Sequence, residues 1–293
     1  MLKGIFPPVT TPFINNEVAY DKLVGNIKKL NSTDLAGYVV FGSNGESAFL
    51  TKEEKIKIIS VAKENANPDK VLIAGTGSDS IKETISLSNE AAENGADYVL
   101  ILTPSFYKSA MKSETFIDYF TKAADAIKIP LIIYNVPKFT GVNIEVDAVA
   151  KLSEHRNIIG IKNSSENIAH LSEIIYNTPD SFLILVGTAS VLYAGLSVGA
   201  VGGVLALANI APEECLLIQK YFEEGNYKKS LEIQMKMLAV NKAVTATFGV
   251  PGLKAAMDML GYYGGPPRSP LSSLKNDEIE KLRMILEKAG FLE

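Results

Sequence analysis

Between Gly4 and Leu205 the chain alternates, eight times over, between a short apolar run rich in β-branched residues and a longer polar or amphipathic stretch. Runs that are apolar at consecutive positions belong to strands buried on both faces, which is the condition of a parallel sheet covered by helices. They predict strands at Gly4–Phe6, Gly37–Phe41, Val71–Ala74, Tyr98–Leu102, Leu131–Tyr134, Ile158–Lys162, Leu183–Val186 and Val201–Leu205. Helices are predicted between them, at Tyr20–Asn31, Lys52–Glu64, Ser80–Asn94, Glu114–Ala126, Val146–Leu152, Ile168–Tyr176 and Ser190–Ser197. Such units within about 210 residues fit an α/β fold of the closed (β/α)8 TIM-barrel kind better than an open sheet. Further on only helices are predicted, at Pro212–Phe222, Tyr227–Val244, Gly252–Leu260 and Asn276–Ala289. The expected organisation is a barrel over residues 1–210 and a C-terminal helical segment over 211–293. No long linker separates them, so they should pack as one unit.

Composition narrows the chemistry. With 293 residues, 47% hydrophobic and 21% charged, the chain can bury one large core. A net charge of −4 without a cluster of Lys and Arg leaves no electrostatic footprint for nucleic acid. The lone Cys215 excludes an internal disulfide and a cysteine metal cluster, and two histidines are a poor supply for zinc. The N-terminus lacks the apolar core of a signal peptide, and no run of about 18 apolar residues could span a bilayer. The expectation is a cytoplasmic protein with a small-molecule partner, neither nucleic acid nor membrane, and no metal or cofactor.

Lys162 closes the apolar run Ile158-Ile159-Gly160-Ile161. Desolvation lowers the pKa of a buried lysine and yields an amine able to attack a carbonyl and form a Schiff base. The plainer alternative is a lysine just past the strand end, pointing to solvent. Other polar groups also follow strands: Gly42-Ser43-Asn44-Gly45-Glu46, Thr103-Pro104-Ser105-Phe106-Tyr107 and Tyr134-Asn135-Val136-Pro137. Taken singly, a Gly-Ser-Asn-Gly segment is a tight turn and Tyr134 a core aromatic. In a barrel, though, all of these strand ends open on the same mouth, where active sites lie.

Gly42-Ser43-Asn44-Gly45-Glu46, Tyr134-Asn135-Val136-Pro137 and Gly160-Ile161-Lys162, in this order and spacing, resemble the N-acetylneuraminate lyase and dihydrodipicolinate synthase superfamily of Schiff-base aldolases and lyases. The resemblance spans nearly the whole chain, from Gly4-Ile5-Phe6-Pro7-Pro8-Val9-Thr10-Thr11-Pro12-Phe13 through Gly202-Gly203-Val204 to Gly261-Tyr262-Tyr263-Gly264-Gly265-Pro266-Pro267-Arg268-Ser269-Pro270-Leu271. It implies that Lys162 forms an imine with pyruvate, or with a 2-oxo acid cleaved to pyruvate and an aldehyde, without any added cofactor. It further implies that Tyr134 relays protons, that Ser43 and Asn44 bind the pyruvate carboxylate, and that Gly187 and Val204 line the pocket. Glu46 is expected to tie down its loop rather than perform chemistry. Residues of the distal pocket such as Phe139, Asn163, Ser164 and Ser165 would select the second substrate, although serines after a strand also cap helices. His155 and His170 fall on or beside predicted helices, are expected to be exposed, and receive no role.

Two residues depart from the family pattern. Synthases of the family carry an arginine two residues after the proline of Tyr-Asn-Val-Pro, gripping the carboxylate of aspartate semialdehyde, where this chain has Phe139. Phe106 stands where many relatives place a relay tyrosine that reaches into a neighbouring subunit, with Tyr107 as the candidate substitute. The resemblance implies a homo-oligomer, a dimer of dimers, and the exposed Phe106-Tyr107 pair agrees with it. Phe139 and the closing segment favour a 4-hydroxy-2-oxoglutarate aldolase. The alternatives are dihydrodipicolinate synthase and a 2-keto-3-deoxy sugar acid aldolase. Rivals of another kind are a barrel that only binds a 2-oxo acid, and a phosphate-binding isomerase using Gly199-Ala200-Val201-Gly202-Gly203.

Overall fold

The computed structural model describes residues 2–293. Eight parallel strands form one sheet: β1 (Gly4–Phe6), β2 (Gly37–Val40), β3 (Val71–Gly75), β4 (Tyr98–Leu102), β5 (Leu131–Asn135), β6 (Ile158–Asn163), β7 (Leu183–Val186) and β8 (Gly202–Val204). Each pairs with its sequence neighbour, and β8 pairs with β1. The remaining seam, β1 to β2, is closed by Ala36 N–H donating to Ile5 O and Val39 N–H to Pro7 O. The result is the (β/α)8 barrel that the sequence predicts.

Two apolar layers hold it. Phe6, Val39, Ile73, Leu100, Ile132, Leu185 and Val204 fill the barrel interior. The alternate residues, among them Val40, Val99, Ile133, Ile161 and Ile184, pack outward against helices α1 (Tyr20–Leu30), α2 (Lys52–Asn65), α3 (Ile81–Glu93), α4 (Ser113–Ala126), α5 (Val146–Ser153), α6 (Ile168–Asn177) and α7 (Leu192–Val198). In α1 the buried Leu23, Ile27 and Leu30 recur at helical spacing. In α2 the capping box joins Thr51 and Glu54, each side chain accepting from the other's backbone N–H.

Helix α8 (Pro212–Glu223) lies against α7 and β1, completing the ring. Three further helices follow: α9 (Tyr227–Lys242), α10 (Gly249–Met259) and α11 (Asn276–Lys288). A π-helical turn over Ala243–Thr247 links α9 to α10, spanning the end of the predicted Tyr227–Val244 helix and the start of the gap after it. Two small elements escape the sequence pattern: a hairpin pairing Phe13–Ile14 with Glu17–Val18, and a single helical turn at Pro137–Thr140. No helix among the described residues is long and apolar enough to cross a membrane.

Gly199-Ala200-Val201-Gly202-Gly203 precedes or begins β8, so it sits at the end of the barrel away from the mouth. A Cβ on Gly202 would fall 2.0 Å from the Gly4 carbonyl oxygen. These small residues serve the close approach of β8 and β1, and the phosphate-site reading of this segment is corrected.

Candidate active site

A single irregularity aims the lysine. Along β5, Ile132 and Tyr134 face the interior and Leu131 and Ile133 face the helices. Leu131 pairs with Ile158 but Ile132 pairs with Gly160, so β6 holds one extra residue there, a β-bulge. Regular alternation from the inward Ile159 would turn Lys162 outward to the helices. The bulge resets the phase, so that Ile161 packs outward and Lys162 pairs with Tyr134 on the inner face.

Lys162 is consequently 3% exposed, and its Nζ lies 3.9 Å from the centre of the Tyr134 ring. The Tyr134 hydroxyl is 3.2 Å from Ser43 Oγ. Burial pushes the phenol up, but the Lys162 charge and the Ser43, Lys162 and Ser164 side chains together pull it further down, leaving it below its ordinary value. A phenol so placed releases a proton more readily than a free tyrosine and can return it over the same contacts.

The loop after β2 supplies Ser43 and Asn44 from a tight turn, Ser43–Gly45, whose internal bonds run from Gly45 N–H to Gly42 O and from Glu46 N–H to Ser43 O. The first amides of such a turn find no acceptor within it, so those of Ser43 and Asn44 are left for an anion. Phe41 and Glu46, at the two ends of the loop, adopt left-handed backbone angles (φ 60° and 55°), a costly choice for residues with side chains. Thr11 Oγ1 donates to Gly45 O at 2.7 Å and fixes the loop to the N-terminal segment.

Gly187 follows β7, and a Cβ there would fall 1.8 Å from Ser164 Oγ, so the glycine leaves room for that hydroxyl. Val204 is buried in the barrel interior. Ser164 Oγ has no hydrogen-bond partner of ordinary geometry, and the same holds for Ser165 Oγ and Thr103 Oγ1. Phe139 lies on the Pro137–Thr140 turn and is 62% exposed. Phe106 and Tyr107 stand edge to face at 5.0 Å and are 75% and 72% exposed. The Tyr107 hydroxyl makes no hydrogen bond among the described residues, and within one chain it is not brought onto the Lys162–Tyr134 pair.

The sequence reading missed an amide network beside Lys162. Asn135 Nδ2 donates to Asn143 Oδ1 (2.9 Å) and Asn163 Oδ1 (3.2 Å), while Asn163 Nδ2 lies 3.4 Å from His170 Nδ1. His170 is therefore half-buried on the inner side of α6, not exposed as expected. His155, after α5, meets Asp125 at 3.1 Å. Among the described residues no group of three or more His, Cys, Asp or Glu side chains could hold a metal.

The Dihydrodipicolinate synthetase family profile matches residues 1–289. The chain belongs to that family. A 4-hydroxy-tetrahydrodipicolinate synthase of Methanothrix thermoacetophila is 35% identical over all of this chain and 98% of its own length. The crystal structure of a dihydrodipicolinate synthase from Aquifex aeolicus superposes with a TM-score of 0.94 at 32% identity, covering 99% of both chains. A prophage protein of the dihydrodipicolinic acid synthase family from E. coli K12, solved in complex with pyruvate, gives a TM-score of 0.93 at 27% identity, again over 99% of both chains. Dihydrodipicolinate synthetase family members are pyruvate-dependent lyases and synthases acting through a lysine Schiff base, and this chain is an enzyme of that kind. The full-length relatives carry the synthase name, which weighs against the aldolase preference drawn from Phe139 and the closing segment.

Proposed function

We propose that the chain condenses pyruvate with aspartate semialdehyde, as a 4-hydroxy-tetrahydrodipicolinate synthase, using Lys162 as its Schiff-base residue and no added cofactor. The observation that carries the pyruvate half is the stacking of the buried Lys162 amine on Tyr134, which in turn meets Ser43. Neutral Lys162 Nζ attacks the ketone carbon of pyruvate. Tyr134 passes a proton to the departing oxygen, water leaves, and a protonated imine remains. The Ser43 and Asn44 amides and the Ser43 hydroxyl hold the carboxylate, while Gly187 and Val204 bound the methyl side. Loss of a C3 proton gives an enamine that attacks the aldehyde carbon, and the resulting alkoxide takes a proton through the same relay.

Two cations flank the turn that bears Phe139 and support a second carboxylate there. Lys138 Nζ donates to Thr245 O at 3.3 Å, and a Cβ on Gly141 would fall 2.8 Å from Lys108 Nζ. Either ammonium is a candidate partner for that carboxylate in place of an arginine at position 139. Phe139 itself favours a second reading, retro-aldol cleavage of 4-hydroxy-2-oxoglutarate or a 2-keto-3-deoxy sugar acid, whose distal group need not meet a guanidinium. Ser164 and Ser165, with free hydroxyls, suit such a hydroxylated substrate.

The test is kcat/KM at one pH for pyruvate with aspartate semialdehyde against cleavage of each 2-oxo acid. A higher efficiency for every aldol substrate overturns the synthase assignment. The exposed Phe106-Tyr107 pair supports a homo-oligomer in which the loop of one copy covers the mouth of another.

A further inference from the structure

The anion loop is held from an unexpected direction. Glu46, its last residue, points away from the pocket into a buried charge cluster built by Lys254 of α10, Arg268 of the segment that follows it and Glu54 of α2. Lys254 Nζ on α10 lies 2.6 Å from Glu46 Oε1, at an angle outside that of a hydrogen bond, and the two side chains are 1% and 0% exposed. The same ammonium donates to Pro266 O at 3.0 Å. Arg268 N–H donates to Glu46 Oε2 at 2.8 Å, and the Arg268 guanidinium forks onto both oxygens of Glu54 at 2.7 and 2.6 Å. It also donates to the carbonyls of Phe49 and Asn16. Phe13 fills the space between the two cations, its ring centre 4.6 Å from Lys254 Nζ and 4.4 Å from Arg268 Cζ.

Removing two charges from water costs about as much as their attraction returns, so a buried pair is a weak source of stability and a strong source of geometry. The geometry imposed here is the left-handed Glu46, which turns the chain at the end of the Ser43–Gly45 turn. We infer that Lys254 and Arg268 are positioning residues for the substrate carboxylate: the Lys254 ammonium and the Arg268 backbone N–H, the latter held in place by the guanidinium fork on Glu54, fix Glu46 and with it the angle at which the Ser43 and Asn44 amides present themselves. The inference rests on the reading of that loop as the pyruvate carboxylate site. It gives the C-terminal segment a part in substrate binding that the barrel alone does not supply.

Borohydride trapping of the pyruvate imine, followed by intact mass, tests it without any second substrate. The variants are the double substitution Glu46→Gln with Lys254→Met, which leaves no lone buried charge, and Arg268→Lys, which keeps the charge but loses the fork. Both should raise the pyruvate concentration for half-maximal trapping about tenfold, the value of one charge-assisted hydrogen bond, while the trapping rate at saturation moves far less. With methyl pyruvate, which has no carboxylate, variants and wild type should differ less than about twofold, since the lost contact is to the charge. Equal shifts for both ketones, or a lowered Tm with unchanged half-saturation, overturn the positioning role and leave a structural one. Should the double variant fail to fold, Arg268→Lys decides the outcome alone. A wild type that traps no pyruvate refutes the proposed function instead, so the two failures are distinguishable.

Discussion

Gly160→Ala attacks the bulge on which the aim of Lys162 depends. A Cβ at position 160 would come 2.2 Å from the Leu183 carbonyl oxygen and 3.1 Å from Leu183 Cβ. The oxygen belongs to the β7 backbone, so no side chain can swing aside. Relief of about 1 Å requires β6 to part from β7 or the bulge to straighten, and overpacking of this kind costs about 1–3 kcal/mol. The lysine lies only two residues further along β6, and a displacement of about 1 Å at the reacting group costs on the order of 100-fold in rate. The assay pairs thermal unfolding with the rate of imine trapping. The expected result is a Tm lower by roughly 2–6 °C at about 2 °C per kcal/mol for a large domain, with trapping slowed by a much larger factor than the stability loss explains. Gly25→Ala in α1 is the control, because a Cβ there meets nothing within 4 Å, and it should hold or raise Tm with trapping unchanged. A Gly160→Ala enzyme that is less stable but traps pyruvate at the wild-type rate refutes the claim that the bulge aims the lysine.

Tyr134→Phe keeps the ring against Lys162 and removes the relay, so kcat should fall by about 10²–10⁴ with circular dichroism unchanged. Phe139→Arg should improve kcat/KM for aspartate semialdehyde if the turn presents the guanidinium to its carboxylate, and leave pyruvate trapping as it is. Hydrogen bonds from Arg268 hold the Glu54 carboxyl below its ordinary value of 4.5. Its contribution to stability is therefore complete above that value and lost as the pH falls through the lower folded value, and Glu54→Gln should flatten the acid limb of a Tm-against-pH curve. Burial pushes the Cys215 thiol well up, so the native enzyme should react with a disulfide reagent at pH 8 only as fast as it unfolds. Light scattering at micromolar concentration should give at least a dimer, and a monomer would remove the shared-mouth picture.

The strands were legible because a doubly buried strand is written as a continuous apolar run. That same continuity hid the bulge. In Ile158-Ile159-Gly160-Ile161 both faces are apolar, so alternation carries no information and a shift of phase leaves no mark. Lys162 could be found as a charge ending an apolar run, whereas its direction could not. Ser43 and Tyr134 were legible through the motifs they belong to, and Asn135 and Asn163 stood at strand ends without any sign that their amides would pair. Lys254 looks like the other basic residues of a polar helical tail, and Arg268 stands in the closing motif without any sign of what it would hold. What separates them is Glu46, 222 positions before Arg268, and no local pattern joins charges so far apart. His170 shows the converse: its place on a predicted helix gave no sign that its ring would meet Asn163 at the end of the neighbouring strand.

Every step of the proposed chemistry depends on the covalent role of Lys162. Borohydride reduction in the presence of pyruvate, followed by peptide mass mapping, should place one reduced pyruvyl group on the peptide containing Lys162 and none on Lys162→Ala. An unlabelled wild type, or equal labelling of both proteins, would contradict it.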